Sequence, residues 1–294
     1  MDYYIEIKKE LIDNDINKKL KDYSKNKYEL QKYYNVGKLL NEAGHHYGES
    51  VIKDYSKKLT NELNRKYDIS SLNKMRKFYN LIEKMVTVSP LLSYSHYVEL
   101  LPYKNLNKIN YYIKITIENN LSVRKLRDRI KSNEYERLPE KTKNRITIEK
   151  YTNIIDYVKD PILIKNSYNY DNVSEKVLQK LILDDISSFL DELGNGFTFI
   201  RNEYQIKLGN NFNYIDLLLY NIKYKCYVVC ELKVTELKKE HIGQIEIYMN
   251  YIDENIKTIE ENRTVGIIIC RQDNKYIIKY CSDNRIISRI YKLK

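Results

Sequence analysis

The sequence predicts an α+β protein. An all-α N-terminal domain with a candidate helix-turn-helix precedes a C-terminal α/β domain, whose mixed sheet is flanked by helices. Three observations carry this expectation. Apolar residues recur at helical spacing through residues 1 to about 135. From Ser174 onward, helical and strand-like runs alternate in the order α-β-β-β-α-β-β. The net charge of +11 sits wholly in the first half, where residues 1–150 hold 31 Lys and Arg against 20 Asp and Glu, while residues 151–294 hold 20 of each. A length of 294 residues favours two domains. The expected division is 1–140 helical and basic, 141–170 linker, and 171–294 sheet domain.

In the first part, Asn26 to Ala43 forms a Tyr/Leu-patterned helix with Gly44 as its terminator. Glu49 to Asn64 carries Ile52, Tyr55, Leu59 and Leu63 near helical spacing. A turn at Tyr67 to Ser70 leads into Ser71 to Met85, which carries Leu72, Met75, Phe78, Tyr79 and Ile82. Its other face shows Lys74, Arg76 and Lys77. Two helices, a short turn and a basic second helix suit a DNA-binding helix-turn-helix; a solvated helix face accounts for the same pattern equally well. Ser93 to Leu101, Asn105 to Asn119 and Ser122 to Ser132 are further helices. The last has Ser122 as N-cap and the cations Arg124, Lys125, Arg127 and Arg129. Lys74, Arg76, Lys77, Arg124 and Arg127 are the candidate nucleic-acid contacts. A basic domain beside a neutral one is the electrostatic footprint of a nucleic-acid-binding protein. A Lys-, Asn- and Ile-rich composition typical of AT-rich coding explains the charge too.

In the second part, Ser174 to Leu193 has the apolar stripe Leu178, Ile182, Ile186, Phe189 and Leu193, ended by Gly194. A strand follows from Thr198 to Leu208. Asn213 to Val234 then reads as two buried strands joined by a polar turn. Asp216 interrupts the first apolar run, and Glu231 and Lys233 interrupt the second. Charges inside buried strands are costly unless paired, hydrogen-bonded or holding a metal. Glu231 and Lys233 share one face of their strand. A four-residue loop, Ile222 to Lys225, pairs Asn221 with Cys226 and brings Asp216 opposite Glu231. Two facing carboxylates repel, a divalent cation removes the conflict, and hard oxygen ligands suit Mg²⁺. Lys233 is then placed to touch a phosphate or an attacking water. This is the layout of a metal-dependent phosphodiester hydrolase, against which stands a purely structural Asp216–Lys233 ion pair. Lys239 to Asp253 reads as a helix with His241, Gln244 and Tyr248 on one strip. Thr264 to Cys270 reads as an interior strand, and Tyr276 to Cys281 as the last strand.

No apolar run reaches the 18 or more residues of a membrane span. The N-terminal residues lack an apolar signal core, so a cytoplasmic protein with no membrane partner is expected. Cys226, Cys230, Cys270 and Cys281 lack zinc-site spacing and are expected as reduced core residues.

FLDELGNGFTFI, YIDLLLY, CYVVCELK, GQIEIYMNYID and TVGIIICR resemble, in that order, the C-terminal domain of the YhcG-like family within the PD-(D/E)XK nuclease superfamily. NVGKLL, YGESVIKDYSKKL, LNKMRKFY, LSYSHYVELL and SVRKLRDRI are similar to its helical N-terminal domain. The resemblance covers roughly residues 25 to 285. It implies a restriction-endonuclease-like fold and a metal-dependent DNA endonuclease. Asp216 and Glu231 would ligate Mg²⁺ or Mn²⁺ with the backbone carbonyl of Leu232. Lys233 would position or deprotonate water, and Gln244 would orient water or the lysine. Two departures stand out. Gln179 occupies the place of a family glutamate, for which Glu175, one turn earlier, could substitute as a metal ligand. Arg201-Asn202-Glu203 stands for Gly-Arg-Gln, so Glu203 adds a carboxylate. The neutral Gln179 keeps an alternative open, a catalytically degenerate nucleic-acid-binding or protein-interaction subunit. The motif leaves duplex DNA, branched DNA and RNA open as partners, because metal and lysine touch only the backbone. Cutting both strands would favour a homodimer.

Overall fold

The computed structural model describes residues 2–17, 25–85, 89–145, 154–170, 173–281 and 283–294. The chain divides into two compact units, residues 1–135 and 136–294. Among the described residues no helix is long and apolar enough to cross a membrane. All four cysteines are free thiols, three of them buried.

The first unit is all helical: α1 (Tyr3–Asn17), α2 (Lys25–Tyr47), α3 (Val51–Glu62), α4 (Ile69–Ile82), α5 (Tyr94–Leu100), α6 (Leu106–Glu118) and α7 (Val123–Lys131). Side-chain caps set several starts. Asp68 accepts from the Ser71 N–H at 2.7 Å, Asn105 from the Asn107 N–H at 2.9 Å and Ser122 from the Lys125 N–H at 3.3 Å. Leu40, Leu59, Leu72 and Ile52 fill a common core, and Tyr97 and Tyr112 are fully buried, so tyrosine takes the place of the absent tryptophan.

Gly44 does not end α2, as the sequence suggested; the helix runs to Tyr47 and stops at Gly48, whose φ is +83°. Gly44 is small for another reason. A Cβ there would stand 3.1 Å from Glu49 Oε1 and 3.2 Å from Arg76 Nη2, crowding an ion pair. At Gly37 α2 passes close to α4, where a Cβ would lie 2.3 Å from the Met75 carbonyl oxygen. Backbone on both sides cannot yield. Gly37→Ala is therefore expected to cost about 2–3 kcal/mol, read as a lowered Tm; an unchanged Tm would mean the two helices do not cross there.

The second unit is a six-stranded mixed sheet in the order β1-β6-β5-β4-β3-β2. Its strands are β1 (Ile162–Ile164), β2 (Phe197–Leu208), β3 (Asn211–Asn221), β4 (Cys226–Glu236), β5 (Asn262–Gln272) and β6 (Ile286–Leu293). β2-β3-β4 form an antiparallel meander, whereas β4, β5, β6 and β1 run parallel. The helices are α8 (Glu140–Arg145), α9 (Glu175–Asp184), α10 (Ile186–Leu193), α11 (Lys239–Asn255) and α12 (Lys275–Lys279). Leu178, Leu181 and Ile182 of α9 and Phe189 of α10 pack with Leu217, Leu219, Val228, Cys230, Ile267 and Ile269. Ile245, Met249 and Ile252 of α11 pack with Leu218, Val229, Ile268 and Cys270. Both faces are thus covered, which is why β5 is buried without a break from Thr264 to Cys270.

Three elements differ from the sequence expectation. The single helix from Ser174 to Leu193 breaks at Asp185 (φ −137°, ψ 56°), whose side chain caps α10 by accepting from the Ser188 N–H. Tyr276 to Cys281 contains the short helix α12 instead of a strand. Ile277, Ile278 and Cys281 pack on the α11 side while Tyr276 and Tyr280 face solvent, an i, i+1, i+4 pattern that suits a helix. The last strand is β6, further on. The stretch expected as a linker also gives the sheet an edge strand, β1, too short to show a period. Glu192 of α10 anchors it by accepting from the Leu163 N–H at 3.1 Å and from the Arg137 guanidinium.

Candidate active site

The β3–β4 hairpin builds the site. Asn221, wholly buried, closes the turn: its Oδ1 accepts from the N–H groups of Lys223 (3.1 Å) and Tyr224 (3.2 Å), and its Nδ2 donates to the Asn195 carbonyl. Lys225 supplies the left-handed residue, φ +47°. Asn221 pairs with Cys226, and the ladder runs back to Leu217–Cys230. There the strands part. The next step brings Asp216 to Glu231, and side chains replace backbone in the hydrogen bonding. Asp216 Oδ2 accepts from the Leu232 N–H at 2.8 Å, and the Asp216 N–H reaches Glu231 Oε1 in a long 3.5 Å contact.

Cys230 and Leu232 point into the α9–α10 core and Val229 into the α11 core. Strand alternation therefore sets Glu231 and Lys233 on the α11 face. Lys233 Nζ donates to Glu231 Oε2 at 3.3 Å, and the two residues are 8% and 1% exposed. Burial pushes the Glu231 carboxyl up to about 8, and the Asp216 charge adds to this against the opposing pull of Lys233. Asp216 is raised as well, again chiefly by burial, which outweighs the Leu232 N–H and Lys233. Burial works against the Lys233 ammonium, yet Glu231, Glu175 and Asp216 together overcome it and raise its pKa. A buried carboxylate and a half-buried one thus act on one ammonium, and ionising both leaves excess negative charge.

The flanking helices supply the rest. Gln179 of α9 donates its amide to the backbone carbonyl of Asp216 at 3.1 Å. It holds the strand that carries the acid and does not stand in for a carboxylate. Glu175, exposed one turn earlier, acts electrostatically on Asp216, Lys233 and His241. Glu203 sits in β2 between the pairs Asn202–Leu217 and Tyr204–Ile215, hence opposite Asp216, and its charge raises the Asp216 pKa. Its φ of +47° is left-handed, a costly conformation for a non-glycine residue in a strand. Gln244 of α11 donates to the Tyr248 hydroxyl at 2.9 Å. Tyr248 in turn lies within electrostatic range of Glu231, Lys233 and Asp216. Its place on a common strip with Gln244 was the sequence signal for it. His241 is half-buried and accepts locally from the Lys238 N–H at 3.2 Å; burial and then Lys233 lower its pKa.

Among the described residues no group of three or more His, Cys, Asp or Glu side chains is arranged to hold a metal ion. Asp216 and Glu231 offer two hard carboxylates with charge to spare. That donor set suits Mg²⁺ or Mn²⁺, which keep several water ligands.

The five basic candidates all belong to the first unit. Lys74, Lys77 and Arg124 are exposed. Arg76 is engaged: it makes a bidentate ion pair with Glu49 (2.6 and 2.7 Å) and donates to Asn41 at 2.9 Å. Arg127 pairs in the same way with Glu99 (3.0 and 2.6 Å). His96 closes the start of α5, where its Nδ1 accepts from the Ser93 N–H.

An acid on one hairpin strand and Glu-x-Lys on the next, in a mixed sheet flanked by helices, define the PD-(D/E)XK class of nuclease domain. The family model of the YhcG PDDEXK nuclease domain matches residues 155–291, and that of the DUF1016 N-terminal domain matches residues 8–137. The chain belongs to the YhcG-like family. A relative from Escherichia coli K12, named "Putative nuclease YhcG", is 24% identical over 294 aligned positions, covering 86% of this chain and 78% of its own. Two solved structures also match: a repair endonuclease from Pyrococcus abyssi (17% identity, TM-score 0.29) and an EndoMS–dsDNA complex (16%, TM-score 0.30). Each covers 44% of this chain, which spans about half of theirs (49% and 48%), a likeness too partial to bear on chemistry.

Proposed function

We propose that the chain is a metal-dependent endonuclease that hydrolyses phosphodiester bonds in DNA. The observation that carries this reading is the convergence of Asp216, Glu231 and Lys233 at the fork between β3 and β4. Asp216 and Glu231 would hold a divalent cation, with the Leu232 carbonyl, and that cation would neutralise charge developing on the phosphate. Lys233 would set its ammonium against a phosphate oxygen and the attacking water. Glu231 keeps that ammonium protonated and aimed. Gln179 fixes the backbone of Asp216, and Gln244 with Tyr248 closes the α11 side. Phosphodiester cleavage depends on such positioning and charge neutralisation. Since one site cuts one strand, a homodimer fits double-strand cleavage.

Gln179, where family members often have glutamate, supports a second reading, a nucleic-acid-binding or interaction subunit without catalysis. Titration calorimetry with Mn²⁺ separates the two: no metal binding with DNA binding retained favours the subunit. The main test is a cleavage panel on single-stranded, duplex and branched DNA and on RNA, with Mg²⁺, Mn²⁺ or EDTA. Cleavage is expected with either ion and none in EDTA. Undiminished cleavage in EDTA would sink the metal-dependent reading.

A further inference from the structure

The first unit contains a cleft of about 530 Å³, lined from α2, the α3–α4 turn, α4, α5 and α7. Its lining is strongly basic. Arg65, Lys66, Lys74 and Arg127 face it, and the lining carboxylate is Glu99, which Arg127 already holds. Lys66 also lies 3.9 Å from Asp68, the cap of α4. Lys74 is close enough to Glu99 to lower its pKa, after the larger effect of Arg127. One wall is aromatic: the rings of Tyr33 and Tyr94 stack with centroids 3.9 Å apart and planes 34° apart. The Tyr94 hydroxyl is buried with no hydrogen-bond partner.

We propose that this cleft grips an unpaired stretch of a nucleic-acid strand, with phosphates against Arg65, Lys66 and Lys74 and a base against the Tyr33–Tyr94 wall. The combination of cationic groove and aromatic platform is the general chemistry of single-strand binding. The volume lies in the range of small-ligand sites, room for a nucleotide or two. A duplex keeps its bases stacked and has no ring face to lay on a tyrosine. The exposed α4 face is also a poorer duplex reader than its sequence suggested, because Glu49 and Asn41 occupy Arg76. This inference deepens the nuclease reading by naming where the substrate strand is held, but strand binding is measurable without any hydrolysis.

The test uses the full chain in EDTA with a fluorescent oligothymidylate and, in parallel, a duplex of equal length, over a range of salt. Lys66→Ala/Lys74→Ala is expected to lose roughly tenfold or more in single-strand affinity at low salt. Its log–log salt slope should fall by about 1.4, at about 0.7 per phosphate contact. Lys53→Ala/Lys57→Ala removes two exposed cations of α3 that do not line the cleft; it should bind within about twofold of wild type. Equal losses in the two pairs, or a duplex bound as tightly as the single strand, would overturn the proposal. Binding in EDTA is read without any hydrolysis, so a failure of the catalytic assignment leaves this result readable.

Discussion

Replacing Lys233 with Ala is expected to slow phosphodiester cleavage by about 10³-fold, the range for losing one positioned acid–base or charge-stabilising group. Binding of DNA in EDTA should survive. Removing the ammonium leaves Glu231 enclosed beside Asp216 without its partner at 3.3 Å. A loss of folding must therefore be told apart from a loss of chemistry. Lys233→Met keeps the buried stem, and Lys233→Ala/Glu231→Gln removes the stranded charge; both should melt cooperatively and both should be inactive. Lys233→Arg keeps a cation but changes its shape, and is expected to retain a small part of the rate. If Lys233→Ala cleaves at the wild-type rate, the role assigned to the lysine is wrong.

Why this residue could be singled out from sequence is a matter of contrast. Asp216, Glu231 and Lys233 interrupt otherwise apolar strands, and strand alternation with a four-residue turn is enough to derive their register. The structure has that register through Asn221–Cys226 and Leu217–Cys230. What periodicity could not carry is the fork itself, where Asp216 takes over a backbone N–H that a ladder partner would otherwise receive. The break at Asp185 hides inside a continuous apolar stripe, because both helices it separates face the same core. The α12 segment fits helix and strand alike over six residues. The roles of Arg76 and Arg127 depend on Glu49 and Glu99, 27 and 28 positions away, a separation no local pattern reports. Charge counted along a chain therefore overstates the charge a surface offers.

The second large effect is on stability. Glu231→Gln is expected to raise the Tm of the metal-free protein at pH 8 while abolishing cleavage. The carboxyl of Glu231 lies near 4.3 in an unfolded chain and is pushed up to about 8 in the fold, first by burial and then by Asp216. The native state consequently holds a proton that the unfolded state has given up across that window. Stability contributed by the neutral form is complete below about pH 4.3 and drains away as pH rises through 8. Glutamine mimics the neutral acid at every pH. The variant should match wild type near pH 4 and exceed it at pH 8 by on the order of 3 kcal/mol, or roughly 5–10 °C in Tm. Adding Mg²⁺ or Mn²⁺ should raise the Tm of wild type at pH 8, since a ligand bound only by the native state stabilises it. It should do little for Glu231→Gln. The charge that burdens the empty fold and the charge that would bind the ion are the same. A variant whose Tm tracks wild type at both pH values, with or without the ion, would show that Glu231 is not the enclosed, cation-seeking carboxylate described.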